Sequence, residues 1–468
     1  MNIVDLLHKW IADRTRRLDN GRSTLDAKIL NPSSPRGLHL LFVVVSALVL
    51  SAAGGQNLPK VSLSYKIGVR LEPETRKLSG QVNILWNNAS EQSIDAVPLH
   101  LYLNAFAHEQ TTWMRSSSSW GREVVTELLG ANQDPWGYTE PTGIRQRVAG
   151  EWKQVEWKAI QPDDGNLFDR SLIQVQLTEP LLPGQNMELQ VDFAAQMPIP
   201  ISRTGGEDDY FMVAQWYPKL GVFETPGVRH AKEARWAARQ FHGTTEFYAD
   251  FADYDVSVHV PKGWSVVATG EVVSKNEETD VTTFRVQQRA IHDFAFVAGK
   301  NLHQSCFMHK PRGEGAKVNV CYLMPKGTQS QIPRWRKAIE GAMDILGARV
   351  GPYPYDHLFV VLPPWRDLHT CGMEYPTLIN GLPGDPLWDR FPFVQFRVPE
   401  GTLVHEFAHQ YFYGLVASNE QEEAFLDEGF TTYWHLEIME ALFGRDSSLG
   451  YILGRPLSLG DRQAKSVA

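Results

Sequence analysis

The sequence VHEFAHQYFYG occupies residues 404–414, and LDEGF follows at residues 426–430. In an α-helix, residues four positions apart lie on the same face, so the imidazoles of His405 and His409 can reach one cation. Two histidines at this spacing around a glutamate, here Glu406, are typical of a helix that binds zinc and supplies a general base. This segment therefore predicts a helix with a metal site on one face.

A third metal ligand is predicted on the following helix. Eighteen residues separate His409 from Glu428, and a loop at residues 417–420 would let the next helix fold back antiparallel. Two histidines and one glutamate leave a fourth position for water, as in catalytic rather than structural zinc sites. We expect one Zn²⁺ bound by His405, His409 and Glu428, with Glu406 as the base. A helix pair with surface-exposed His and Glu side chains is the alternative.

Before about residue 300, the sequence favours β-strands. Residues 61–71 and 78–86 alternate apolar with polar or small residues on either side of a turn at residues 72–75. This pattern predicts an antiparallel hairpin with one buried face. We therefore predict an antiparallel β-sandwich domain over residues 56–300. Similar short runs recur at residues 99–103, 172–177, 187–193, 256–260 and 283–286.

Residues 106–165 are predicted as a long loop that carries five tryptophans among Ser, Gly, Asp and Gln residues. Such a loop could bind sugars or peptides through its aromatic rings. It could also be an insertion whose aromatic side chains anchor it to the domain, and this second interpretation is favoured.

From residue 332 the spacing of apolar residues becomes helical and continues through residue 346. A buried strand is predicted at residues 359–362, and two helices at residues 400–413 and 422–443. Gly414 follows the first of these two helices, where a glycine often ends a helix. The second part of the chain is therefore predicted to mix helices with strands.

Near the N-terminus, residues 38–53 form an apolar run shorter than the roughly 20 residues that span a bilayer. The run resembles the apolar region of a signal peptide. A membrane anchor is the alternative, since the preceding tail carries seven Lys and Arg against four Asp and Glu. A buried core helix is a third interpretation. We expect residues 1–55 to direct export, with the remaining chain periplasmic, extracellular or membrane-anchored through residues 38–53.

Composition and cysteine content limit the alternatives. The 468-residue chain has a formal net charge of −9 without long blocks of one sign, which argues against nucleic-acid binding. Its three cysteines are too few for a disulfide scaffold. Cys306 and Cys321 flank a turn-like stretch and could form a bridge, but two half-buried free thiols are the expectation. Cys371 has no evident partner.

The spacing of His405, His409 and Glu428, together with LDEGF, resembles the aminopeptidase N family of zinc metallopeptidases, the gluzincins, and its bacterial members in particular. Upstream, the sequence CGMEYP at residues 371–376 is similar to the G-x-M-E-N motif of that family. The resemblance extends from about residue 58 to about residue 445.

The resemblance implies that Glu374, with Gly372 and Met373, binds the free α-amine of a substrate. An anion at this position is physically reasonable, because an ammonium group beside a metal ion needs a carboxylate to hold it. Two residues depart from the family pattern, since Tyr375 replaces Asn and Cys371 replaces Gly.

A catalytic tyrosine of the family lies well downstream of the third ligand, and we assign this role to neither Tyr433 nor Tyr451, which are too close. On the resemblance, we therefore expect a member truncated at its C-terminus. The implied architecture is the β-sandwich domain followed by an incomplete thermolysin-like α/β catalytic domain over residues 301–468.

The implied function is that of a zinc aminopeptidase, which hydrolyses the N-terminal bond of peptides that have a free N-terminus. A rival interpretation is a non-catalytic module that binds zinc and a peptide or partner without cutting it. Peptides are the expected partners in both cases, and no nucleic acid is expected.

Overall fold

The computed structural model describes residues 58–59, 61–116, 134–229, 231–313, 315–383, 394–452 and 455–457. The predicted signal or anchor segment at residues 38–53, and the whole of the tail at residues 1–55, lie outside these residues. Within the described ranges, none of the helices has both the length and the apolar character needed to cross a membrane.

The first part of the chain forms a large sheet of eight strands. In spatial order the strands are β16 (Glu271–Glu277), β17 (Val281–Ile291), β14 (Ala252–Pro261), β1 (Leu63–Glu72), β2 (Lys77–Asn87), β8 (Asn186–Gln196), β4 (Tyr138–Val148) and β5 (Glu151–Gln154). The predicted hairpin is confirmed as β1 and β2, in which Leu63 pairs with Trp86. Alternate side chains of β1, such as Tyr65 and Ile67, are buried because one face of the sheet covers the core. Strands β1 and β14 pair in parallel.

Smaller sheets pack against the large one. The backbone N–H of Leu220 donates a hydrogen bond to the hydroxyl of Tyr65, at 3.0 Å. The rings of Trp86 and Trp236 lie 5.3 Å apart between centroids. These contacts close a sandwich and confirm the predicted β architecture. The smaller sheets contain, in spatial order, β11 (Lys219–Leu220), β3 (Ile94–His100), β7 (Leu172–Leu181) and β6 (Trp157–Ala159); β15 (Ser265–Ala268), β18 (Phe296–Gly299), β10 (Tyr210–Val213) and β9 (Gly205–Glu207); and β12 (Val222–Glu224) with β13 (Arg235–Ala237).

The prediction of a long loop at residues 106–165 is wrong. A short helix, α1 (Thr112–Ser116), lies there, and strands β4, β5 and β6 follow. The sequence of β4 contains Pro141 and Gly143 and few large apolar residues, so its alternation was too weak to indicate a strand. Its buried face is made by residues such as Ile144 and Val148. The part at residues 117–133 lies outside the described residues.

Among the described residues, the second part of the chain combines a mixed sheet with three α-helices. The sheet contains β19 (Leu302–His309), β20 (Val318–Pro325), β21 (His357–Val361) and β22 (Leu378–Asn380), in this spatial order. The first pair is antiparallel and the other two pairs are parallel. Helix α2 (Ile332–Arg349) connects β20 to its parallel neighbour β21, as crossover helices do in α/β folds. The remaining elements are α3 (Val398–Ala408), α4 (Ala424–Phe443) and the strands β23 (Val394–Phe396), β24 (Gly450–Ile452) and β25 (Arg455–Leu457).

The predicted order of a β part and then an α/β part is therefore confirmed. The sheets of the first part use strands up to Gly299, and the mixed sheet begins at Leu302. The division into domains at residues 56–300 and 301–468 stays a prediction.

Helix α3 ends earlier than the predicted limit at residue 413. Ala408 is its last residue and His409 caps its C-terminus. The next turn is tighter than an α-helical turn, because Gln410 N–H donates to the carbonyl of Phe407, three residues earlier, at 3.1 Å. Such bonds between residues three apart commonly close the last turn of a helix. Tyr413 then adopts a left-handed φ of 83°, just before the glycine that the sequence suggested as the helix end.

The expectation of free thiols at Cys306 and Cys321 is also wrong, because the two residues form a disulfide. They are directly opposite each other in the antiparallel pair β19 and β20. Their Cα atoms are 4.0 Å apart, close enough for a bridge. The sequence did not fix the register of this hairpin, and the register decides whether two cysteines meet. Cys371 is free, as predicted.

An ion pair lies in the core of the β part. Lys219 Nζ is 2.8 Å from Asp293 Oδ1, and the two side chains are only 1% and 5% exposed. Asp293 also accepts hydrogen bonds from the side-chain amide of Gln215 and from the backbone N–H of Phe294. Burial lowers the pKa of Lys219, although Asp293 acts in the opposite direction. Among the described residues, Lys219 is the one cation that forms an ion pair with Asp293.

Replacing Lys219 by Met should lower the free energy of unfolding by about 3–5 kcal/mol, because it leaves a buried carboxylate without its cation. Urea or thermal denaturation of the purified chain measures this loss. Lys275→Met is the matched control, since Lys275 pairs with Glu277 where both side chains are about half exposed. Equal losses in the two variants would contradict the importance of the buried pair.

Candidate metal centre and active site

The local fold of α3 and α4 positions the predicted metal ligands. Helix α3 buries Leu403, Val404 and Phe407 completely, so its opposite face is the one that carries the polar side chains. His405 lies in its last turn and His409 at its cap. Glu428 lies in the first part of α4, on the predicted next helix.

The three predicted ligands form a triangle of atoms. His405 Nε2 lies 3.2 Å from Glu428 Oε2 and 3.2 Å from His409 Nε2. The third side, from His409 Nε2 to Glu428 Oε2, is 3.8 Å. Ligand atoms of a tetrahedral zinc ion with bonds of about 2.0–2.1 Å lie roughly 3.4 Å apart. The triangle therefore has the dimensions of a zinc site with one position left for water.

Asp427 fixes the orientation of His409. Its Oδ1 is 2.5 Å from His409 Nδ1, and the Thr431 hydroxyl is 3.1 Å from the same nitrogen. A proton on Nδ1 leaves the lone pair of Nε2 directed into the triangle, as a metal ligand requires. Burial raises the pKa of Asp427 to about 6, although His409 acts in the opposite direction. Sequence reasoning missed Asp427, although it directly precedes Glu428 in the LDEGF motif.

The charges of the ligands suit a cation. Burial lowers the pKa of His405, which favours the neutral ring that binds metals. Burial alone would raise the pKa of Glu428, but His405 and His409 lower it to about 2, so this carboxylate is ionised. Burial also lowers the pKa of His409, but Asp427 and Glu374 raise it well above its usual value.

Glu406 faces the segment that precedes β22. Burial raises the pKa of Glu406 well above its ordinary value, and the nearby Glu374 raises it further. Gly372 has a left-handed φ of 75°, and a Cβ there would lie 3.8 Å from Glu406 Oε1. Gly372 therefore lies beside the predicted base.

Glu374 lies within the same cluster of side chains. One of its carboxylate oxygens is within 4.8 Å of a ring nitrogen of His409 and of a carboxylate oxygen of Asp427. Burial raises its pKa, while His409 and Arg203 act in the opposite direction. The structure thus brings Glu374 next to the predicted metal ligands, although their sequence positions differ by more than thirty residues.

Gly372 and Met373 have mainly structural contacts. The backbone N–H of Gly372 donates to Asn380 O at 3.1 Å, and Asn380 N–H donates to Met373 O at 3.0 Å. The side chain of Met373 is 4% exposed and belongs to the hydrophobic core.

Gln410 holds the segment of Glu374 against the metal-binding motif. Its side-chain amide donates to the carbonyls of Glu374 and Tyr375, at 3.0 and 3.2 Å. Its oxygen accepts from the backbone N–H of Thr377 at 2.9 Å. In the sequence, the one sign of this role is a glutamine next to His409 in an otherwise apolar stretch.

Two charged residues from the β part also reach the site. Arg203 forms a salt bridge with Glu246, and it interacts electrostatically with Glu374 and Glu406. Neither residue lies in a motif that sequence analysis recognised.

The two tyrosines to which no catalytic role was assigned make other contacts. Tyr433 packs its ring against Trp434, and Tyr451 lies beside Arg397.

One protein-family model matches this chain, and the match is consistent with the resemblance that the sequence suggested. The Peptidase family M1 domain matches residues 343–458, a range that contains the triangle, Glu406 and Glu374. No curated protein matches the sequence. The resemblance to M1-type zinc metallopeptidases that the sequence suggested is thereby confirmed, and the match supports a zinc peptidase.

One of the similar solved structures supports the fold, and two others are related to it. An M1 zinc metallopeptidase from Deinococcus radiodurans has a TM-score of 0.50 and 18% identity, covering 82% of this chain and 72% of that chain. A mutant of that enzyme has a TM-score of 0.49 and 17% identity over the same shares of the two chains. The mutant bound to a Tyr-Ser-Ala substrate has a TM-score of 0.47 and 16% identity, again over 82% and 72%.

The purified chain should contain close to one zinc ion, and the Glu428→Gln variant should lose most of it, because the variant lacks the only anionic ligand of the triangle. Metal analysis by mass spectrometry after dialysis measures this difference. Glu437→Gln is the control, since Glu437 lies on the same helix but pairs with Arg349 at 3.2 Å. Equal zinc in the parent and in Glu428→Gln would refute the assignment of the ligand.

Proposed function

We propose that this chain is a zinc-dependent aminopeptidase, which removes N-terminal residues from peptides. The observation that carries the proposal is the position of Glu374. Its buried carboxylate lies within 4.8 Å of His409, beside a triangle of ligands that fits one zinc ion. A peptide whose ammonium group binds Glu374 would present its first peptide bond to the metal site.

Each residue has a separate part in the proposed reaction. His405, His409 and Glu428 would hold zinc, which when bound makes water more acidic and polarises a carbonyl group. Glu406 accepts the proton of the attacking water and then transfers it to the leaving amine. Burial raises the pKa of Glu406, which suits this role, because a carboxyl group with a raised pKa can both take up and release a proton near neutral pH.

Glu374 would provide the specificity for a free N-terminus. A carboxylate binds an ammonium group through charge-assisted hydrogen bonds, which are stronger than neutral ones. An acylated N-terminus lacks this charge and would leave the buried carboxylate without a partner, which is costly. Gln410 supports this arrangement, because it binds the backbone carbonyl of Glu374 and so fixes the segment relative to the zinc motif.

The parent should hydrolyse alanyl p-nitroanilide, which has a free amine, and should leave its N-acetyl derivative intact. Glu406→Gln should lower kcat by about 10²–10⁴-fold, because the variant loses its general base. It should retain its zinc, since Glu406 is not a ligand of the triangle. Spectrophotometric assay of p-nitroaniline release, together with metal analysis, measures both effects.

Two outcomes would count against this proposal. Equal cleavage of the free and acetylated substrates would remove the role of Glu374 and leave a peptidase of another type. Stoichiometric zinc without hydrolysis of any substrate would favour the rival interpretation, in which the chain binds zinc and peptides without cutting them.

We also propose that the chain works in an oxidising compartment outside the cytoplasm, periplasmic or extracellular. Disulfides persist in such compartments and are rare in the cytosol, where thiols are kept reduced. Cys306 and Cys321 form a disulfide between neighbouring strands, and this bond supports the proposal. The apolar run at residues 38–53 agrees with it, although its role as a signal peptide stays a prediction.

Protein taken from its own cells, quenched in acid and denatured, should react with one equivalent of a maleimide reagent, because only Cys371 is free. After reduction, three equivalents should react, which gel electrophoresis of a maleimide–polyethylene glycol adduct resolves. The Cys371→Ser variant is the control and should show none before reduction. Three reactive thiols in the unreduced parent would refute the oxidising location.

A further inference from the structure

A tight turn carries Arg203 from the β part into the active site. Ile201 and Thr204 exchange backbone hydrogen bonds of 2.9 and 3.0 Å, so Ser202 and Arg203 are its two central residues. Their φ angles are 39° and 73°, both in the left-handed region. Turns of this type favour Gly or Asn at these positions, because other side chains are strained there. Such strain in residues other than glycine is concentrated at functional sites.

The turn is fastened to the segment that leads to Glu374. The backbone N–H of Arg203 donates to His369 O at 2.9 Å. The hydroxyl of Tyr375, the residue after Glu374, lies 3.5 Å from the carbonyl of Arg203. On its other side, the Thr204 hydroxyl donates to Ala214 O at 2.9 Å. The backbone of Arg203 is therefore fixed relative to the residue proposed to bind the amine.

The guanidinium of Arg203 has spare donors. Its Nη1 group donates to Glu246, and both side chains are partly exposed, at 28% and 16%. Among the described residues, its other N–H groups have no hydrogen-bond partner. A guanidinium has five N–H donors in a planar fork and can bind two carboxylates at once. A second carboxylate could therefore bind to Arg203 beside Glu246.

Arg203 lies beside the residue that is proposed to hold the amine. The carbonyl of Arg203 is 3.5 Å from the hydroxyl of Tyr375, the residue that follows Glu374. The C-terminal carboxylate of a dipeptide lies beyond the scissile bond, on the side away from the α-amine. The side chain of the first substrate residue, in contrast, branches from the same carbon as the α-amine. The geometry therefore favours contact between Arg203 and that side chain.

We propose that Arg203 determines specificity by binding the side-chain carboxylate of an N-terminal Asp or Glu. The inference rests on the proposed aminopeptidase function. Glu374 holds the ammonium group of the substrate and Arg203 its carboxylate, so the two protein charges match the two charges of an acidic N-terminal residue. A cationic N-terminal side chain would be repelled by Arg203. In the alternative interpretation, Arg203 forms only a structural ion pair with Glu246 and does not contact the substrate.

The test compares matched substrates that differ only in charge. The parent should cleave aspartyl p-nitroanilide at least about tenfold more efficiently, in kcat/KM, than asparaginyl p-nitroanilide, since hydrogen bonds to charged groups are the stronger ones. Arg203→Gln should bring this ratio close to one, mainly through a higher KM for the aspartyl substrate. Arg203→Lys should keep an intermediate ratio, because it retains the charge but loses the fork.

The control is Arg285→Gln, which breaks a surface ion pair with Asp255 on the large sheet and should leave the ratio unchanged. A parent that cleaves the asparaginyl substrate as well as the aspartyl one would overturn the inference and leave the aminopeptidase proposal intact. An equal loss with both substrates in Arg203→Gln would show a structural role and also overturn it. If Arg203→Gln fails to fold, the ratios of the parent and of Arg203→Lys decide. A parent without any aminopeptidase activity would refute the proposed function and this inference with it.

Discussion

Repulsion among buried carboxylates is the constraint on which the candidate metal site depends. Glu374 and Glu406 are each only 5% exposed, and Glu428 and Asp427 lie beside them. Carboxylates this close cannot all remain ionised in a medium of low dielectric constant unless positive charge is supplied. His409 and Arg203 lower the pKa of Glu374, so they supply part of this positive charge, and a bound metal ion would supply more. On the proposed function, a site with this need for positive charge would also attract the ammonium group of a substrate.

The β part does more than carry the catalytic part, because it fixes the loop between α3 and α4. Arg235 and Arg239 both bond to Glu422, each at 2.8 Å, and the side chain of Asn419 donates to Glu224 at 3.1 Å. The helix that carries the third metal ligand begins directly after this loop. The distance between the ligands thus depends on contacts made far from them in sequence. Loosening of the contact between the two parts would weaken metal binding without a change in any ligand.

The sequence was most informative where function depends on local spacing. His405 and His409 could be predicted as ligands because a helix converts a fixed spacing into a shared face, and Glu428 could be predicted because the two helices are consecutive. Arg203 could not be found in this way, since it lies in a turn about two hundred residues upstream and reaches the site only through tertiary packing. The bond of Cys306 needed the exact pairing of two strands, which alternation of apolar residues does not define. Strand β4 was missed because packing against its neighbours, rather than its own composition, makes it a strand.

The parallel pairing of β1 with β14 has a consequence for how this chain is made. Strand β1 pairs with β2 as soon as their hairpin is complete, but its other edge must wait for Ala252–Pro261, which is synthesised much later. Pairing between such distant segments is slow, because a long loop must close before any bond forms. Until then the folding chain has a central strand with an open edge, and such edges are templates for aggregation. The yield of native protein would therefore depend on how well chaperones cover β1 during that interval.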